Sequence, residues 1–181
     1  MRSFPFFHVK RRQRVRLRSG QKGSGEIMSE RQIVVFSLGK EHFGVDIAGV
    51  REIVRFSGCR SLPGAPSFVL GLIQLRGELV TLVDLAARFA LAPPERDDAQ
   101  RKVIIVRQGT KQIGIVVDGV SEILRVDDDE IRPVDELAFM ESPVDTSQIT
   151  GVAAIDDRLV VLLDLARVLS ERERERLESS L

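Results

Sequence analysis

From Arg31 onward, short apolar runs rich in β-branched residues alternate with glycine- and proline-bearing breaks. "QIVVFSL", a break at Gly39 and Lys40, and "HFGVDI" predict two strands joined as a hairpin, since glycine accepts the positive φ such a turn demands. "VREIVRF" follows, with Val50, Glu52 and Val54 set imperfectly against Arg51, Ile53 and Arg55, which predicts a strand with mixed faces. Pro63, Gly64 and Pro66 make "SGCRSLPGAPSF" a loop. "VLGLIQLR" and "ELVTLVDL" then flank Gly77 as a second hairpin, and "AARFA" predicts a short helix capped by Asp84. Pro93 and Pro94 mark a linker.

The order then repeats. "RQIVVFSLGKEHFGVDIAGVREIVR" from Arg31 returns from Arg101, 70 residues later, matching at Gly39/Gly109, Gly44/Gly114, Gly49/Gly119 and Glu52/Glu122 among others. "GLIQLRGELVTLVDLAARF" from Gly71 returns from Gly151, 80 residues later, matching at Leu79/Leu159, Asp84/Asp164 and Leu85/Leu165. The duplication and the regular short strands predict a mainly β chain of two small barrels, about five strands each, with short helices attached. The first barrel is expected at about 31–92 and the second at about 100–165, the crossing elements between them left open. Asp164 is expected to cap a C-terminal helix over 165–179 that carries "SERERERLESSL" as a solvated charged face.

Charge divides the chain. Residues 1–27 hold eight basic residues against Glu26, so the formal net charge of zero leaves residues 28–181 acidic by about seven. That front segment admits three readings: a misassigned start, with Met28 the true first residue; a disordered extension; or a basic arm for nucleic acid or anionic lipid. No apolar run is long enough to span a bilayer, so direct membrane insertion is not expected. The lone Cys59 has no intramolecular disulfide partner, which fits a cytoplasmic location.

Chemistry is scarce. His42 has no second histidine or cysteine nearby in the sequence, Cys59 stands in no nucleophile motif, and "DDDE" at Asp127–Glu130 lacks the glycine and closing glutamate of a calcium loop. "GQKGSG" lacks phosphate-loop spacing. The expectation is no enzyme, no metal and no cofactor, and a binding role. Residues that differ between the copies are then the informative ones. Gln74, Leu75, Arg76 and Gly77 stand where the second copy has Ala154, Ile155, Asp156 and Asp157. Arg76, just before a tight turn, can take a bidentate carboxylate contact with Glu52, or stand as a surface arginine with no fixed partner.

"SLPGAPSFVLGLIQLRGELVTLVDLAARF", "GIVVDGVSEILRV" and "ITGVAAIDDRLVVLLDLARVL" together resemble the CheW-like coupling-domain family, over residues 31 to about 170. The resemblance implies two SH3-like β-barrels in a non-enzymatic adaptor, recruited from the cytoplasm to membrane receptor arrays. Its implied partners are the regulatory domain of a CheA-type histidine kinase and the cytoplasmic tip of chemoreceptors. It further implies receptor contacts at Val50, Glu52, Leu75 and Arg76, and kinase contacts near Phe68 and Gly71, with Gly77, Asp84 and Asp164 structural. Two positions depart from the family pattern: Gln74 replaces an asparagine, and Thr81 replaces a proline and so restores a backbone donor. The alternative reading is a small-barrel nucleic-acid module using the basic arm, although residues 28–181 are acidic and the chain has no Trp or Tyr to stack on bases.

Overall fold

The structure is a computed structural model that describes residues 9–10, 30–91, 99–109, 111–133, 146–155 and 158–178. Its strands are β1 (Val9–Lys10), β2 (Glu30–Leu38), β3 (Glu41–Asp46), β4 (Val50–Arg55), β5 (Val69–Leu75), β6 (Glu78–Asp84), β7 (Lys102–Gln108), β8 (Lys111–Val117), β9 (Gly119–Asp127), β10 (Ile131–Arg132), β11 (Ile149–Ile155) and β12 (Arg158–Leu163). They form two sheets, in the orders β1-β9-β2-β3-β12-β11-β10 and β4-β7-β8-β6-β5. The mainly β reading holds, and the strand bounds fall within a few residues of the apolar runs.

The sheets do not divide at the linker, however. One sheet takes the β2–β3 hairpin of the first copy and closes it with β9, β11 and β12 of the second; the other takes β7 and β8 of the second copy and closes it with β4, β5 and β6 of the first. The expected contiguous units at 31–92 and 100–165 therefore interleave. The crossings are very short. After β3, a single 3-10 turn (Ile47–Gly49), capped by the Asp46 side chain accepting from the Ala48 amide at 2.8 Å, sends the chain into β4 of the other sheet. Sequence repetition identifies the copies, but pairing energy decides which copy closes on which.

Three apolar clusters explain why "QIVVF" and "KVIIV" are unbroken apolar runs. In β2, Ile33 and Val35 face a cluster inside their own sheet with Leu124, Ala153 and Leu162, while Val34, Phe36 and Leu38 face the largest cluster, shared between the sheets. In β7, Val103 and Ile105 pack with Val80, Leu82 and Val116, while Ile104 and Val106 point into the shared cluster. Both faces are buried, so a period of two is written entirely in apolar residues. Each such side chain contributes about 2 kcal/mol on burial. The largest apolar cluster of the molecule thus lies between the two sheets.

Two of the repeated glycines are explained by close approach. A Cβ at Gly44 would lie 2.6 Å from Ile33 Cγ2, and one at Gly114 2.4 Å from Leu82 Cδ2, at equivalent places in the two sheets.

The C-terminal helix differs from expectation. Asp164 opens a 3-10 turn (Leu165–Arg167), and an α-helix, α2, begins only at Glu171 and runs to Glu178. The break is made by Ser170: its Oγ accepts from the Glu173 amide at 3.3 Å while the Glu173 carboxylate accepts from the Ser170 amide at 2.8 Å, a reciprocal cap that starts a new helix. Leu177 anchors α2 in the shared cluster.

Candidate functional site

Three of the four proposed receptor-contact residues meet at one end of the second sheet. Leu75 ends β5, and Arg76 and Gly77 form its turn into β6, with φ of 50° and 85°. Both are left-handed, as a type I′ hairpin requires. At Arg76, a non-glycine residue, this costs about 1 kcal/mol or more. The turn lifts the Arg76 side chain into solvent, 73% exposed, and its Nη2 donates to Glu52 Oε2 at 2.9 Å; the Glu52 side chain is 21% exposed. Of the two readings of Arg76, the paired one holds, through one guanidinium nitrogen and not as the bidentate contact expected. The contact joins β4 to the β5–β6 turn, and β4 and β5 are the two outermost strands in that sheet's order.

Val50 does not join them. Its side chain is fully buried in the shared cluster. The reason is a β-bulge: Val50 pairs with Val106 but Glu52 pairs with Ile105, so Arg51 is an extra residue between them. The bulge turns Val50 toward the shared cluster and Glu52 toward the opposite face, where half-buried Leu75 packs beside Val80 and Ile105. Hence the imperfect alternation of "VREIVRF". Val50 supports the surface from beneath and presents nothing to a partner.

The proposed kinase-contact residues lie at the other end of β5. Phe68 is half-buried against the shared cluster, and the Arg88 guanidinium lies over its ring, 4.6 Å from the centroid. Arg88, on helix α1 (Leu85–Arg88), also donates to the Val168 carbonyl and the Glu173 carboxylate, each at 3.2 Å, and so ties Phe68 to the C-terminal segment. Nothing local in the sequence marks Arg88, whose partners stand 80 and 85 residues away. Gly71 is buried and has φ of 145°; a Cβ there would fall 2.0 Å from the Arg60 carbonyl oxygen. Arg60 and Leu72 exchange backbone hydrogen bonds at 2.9 and 2.8 Å, so Gly71 lets the proline loop lie on β5. Its role is to shape that surface.

Asp84 caps α1, accepting from the Ala87 amide at 3.0 Å, and its other oxygen takes Arg101 Nη2 at 3.1 Å. Both residues are buried, and the Arg101 guanidinium lies 4.6 Å from the Phe56 ring centroid. Asp164, its repeat counterpart, caps only the 3-10 turn and meets Arg167 near the surface at 3.1 Å. Gln74 is exposed, and Thr81 sits in β6 with ladder partners on both sides, Leu72 and Ile113.

Cys59 lies on the loop surface, its Sγ donating to the Leu70 carbonyl at 3.3 Å. Partial burial pushes its thiol above the ordinary value of 9.0, with the Arg101 guanidinium opposing. Less thiolate is then present at neutral pH, so iodoacetamide is expected to react more slowly than with a free cysteine peptide, the rate still climbing beyond pH 9.0. A rate that levels off below that pH contradicts this.

Among the described residues no cluster of His, Cys, Asp and Glu could hold a metal, and no helix is long and apolar enough to cross a membrane. The chain is 38% identical over 147 residues to the probable chemotaxis protein CheW of Rhizobium etli, a match spanning 81% of this chain and 92% of that protein. To the chemotaxis protein CheW of Klebsiella aerogenes it is 34% identical over 150 residues, spanning 83% and 87%. Its structure matches the crystal structure of the scaffolding protein TtCheW from Thermoanaerobacter tengcongensis with a TM-score of 0.71 and 30% identity, over 80% of this chain and 96% of that one. Since residues 32–173 also match the CheW-like domain, the chain belongs to the CheW-like domain family.

Proposed function

We propose that this protein is a chemotaxis adaptor that joins the regulatory domain of a CheA-type histidine kinase to the cytoplasmic tip of chemoreceptors, acting in the cytoplasm at membrane receptor arrays and without catalysis. The observation that carries the reading is the exposed Arg76, held by Glu52 on a left-handed turn that a less demanding residue would occupy at lower cost. A partner carboxylate or helix end can take the guanidinium's remaining donors. Leu75 supplies apolar surface beside it.

The second support is separation. Phe68 and Arg76 stand at opposite ends of β5, about 25 Å apart along an extended strand of this length. An adaptor needs two surfaces that are free at once, and one rigid strand provides both. The nucleic-acid reading draws no support: residues 28–181 are acidic by about seven charges, and the chain has no Trp or Tyr to stack on bases.

The test is binding of the full chain to a receptor cytoplasmic-tip fragment and, separately, to the kinase regulatory domain. Arg76→Ala is expected to weaken receptor binding at least tenfold, roughly the cost of one charge-assisted contact, and to leave kinase binding unchanged. Equal loss of both partners, or of neither, overturns the assignment of Arg76.

A further inference from the structure

The two-residue strand β1 lies outside the family match, which begins at residue 32. Val9 pairs with Ile123 and Lys10 with Leu124, parallel, on the side of β9 away from β2. Without β1, β9 would be an outer strand of its sheet, presenting backbone donors and acceptors at its middle. Such an edge accepts any extended segment.

We propose that the outer edge of β9 is a strand-accepting site, and that its occupant is this chain's own N-terminal segment around Val9–Lys10, a tethered cover that a competing strand must displace. Three observations select this occupant. The first is register: the pairing is already made, over two residues. The second is reach. Nineteen residues separate Lys10 from Glu30, and β1 and β2 flank the same strand at about 10 Å from each other, well inside the roughly 60 Å that nineteen residues can reach at most. Tethering at such length gives an effective concentration of order millimolar, enough to hold a pairing too short to persist between separate molecules.

The third is charge. A parallel strand travels the same way as β9, which ends at Asp127 and passes into Asp128, Asp129 and Glu130. The residues that follow Lys10 in sequence include Arg11, Arg12, Arg14, Arg16 and Arg18. Arg31 pairs with Asp128 and Arg125 with Glu30, so the surroundings carry some basic charge of their own, but the four-residue acidic turn outweighs it. A basic segment is favoured over a neutral one, and the preference weakens with salt.

The experiment is amide hydrogen exchange by NMR on the full chain, comparing wild type with the double variant Val9→Pro/Lys10→Pro, which removes both backbone donors while keeping the arginines. The β9 amides within residues 121–126 that β2 does not bind are expected to exchange about tenfold faster in the variant, at low and high protein concentration alike. Added salt is expected to raise exchange in the wild type toward the variant's rate. Identical exchange in both proteins overturns the proposal. So does protection that appears only as concentration rises, because the edge would then be covered by a second copy.

Discussion

Replacing Asp84 with alanine is expected to cost about 3–5 kcal/mol, because it leaves the buried Arg101 guanidinium without the carboxylate it meets and strips the cap from α1. The pair is almost fully enclosed, so water cannot substitute for the lost charge. Asp164→Ala removes the matching residue of the second copy, yet is expected to cost only about 1 kcal/mol, since its arginine partner is largely exposed and the 3-10 turn it caps is short. Urea unfolding of the two variants reads the difference directly, as a fall in midpoint at unchanged slope. The double variant Asp84→Ala/Arg101→Leu is expected to recover part of the loss, because no charge is then buried alone. Equal costs for Asp84→Ala and Asp164→Ala would show that the buried pair adds nothing beyond capping.

Gly71→Ala is expected to be the second most damaging change, at about 3 kcal/mol. Two terms add: a left-handed φ that alanine adopts only with strain, and a methyl placed 2.0 Å from a backbone oxygen that cannot swing aside as a side chain would. The loop carrying Arg60 must lift, which breaks its paired hydrogen bonds to Leu72 and loosens the packing under Phe68. Kinase-domain binding is therefore expected to fall further than receptor binding. Gly151→Ala, at the repeated position, meets Ile131 Cγ2 at 2.6 Å and Arg132 O at 3.0 Å without a left-handed φ, and is expected to cost less. A Gly71→Ala protein with an unchanged urea midpoint would mean that the loop yields freely.

Those two glycines also show what was legible in the chain. Their repetition announced a duplicated structural need, and both sit at a register shift where a neighbouring segment lies close alongside the strand. The hairpin around Gly77 followed from turn chemistry, and the Arg76–Glu52 contact was one of the two readings that charge left open for Arg76. What stayed hidden were choices made by pairing across distance. The exchange of closing hairpins between copies leaves no local mark, because either arrangement buries the same apolar runs. The burial of Val50 depends on one extra residue at Arg51, which the uneven alternation signalled without naming its face. The break in the C-terminal helix does have a signal, the Ser-x-x-Glu pattern of Ser170 and Glu173, which the continuous run of charge around it masks.

In the coupling account, one short strand carries two independent surfaces. The most direct measurement is co-elution of the full chain with the kinase regulatory domain and a receptor-tip fragment in size-exclusion chromatography, with wild type and Arg76→Ala side by side. A ternary complex with the wild type, reduced to chain and kinase domain alone with Arg76→Ala, is the predicted result. If the two partners instead exclude each other on the wild-type chain, they share one surface, and the account is wrong.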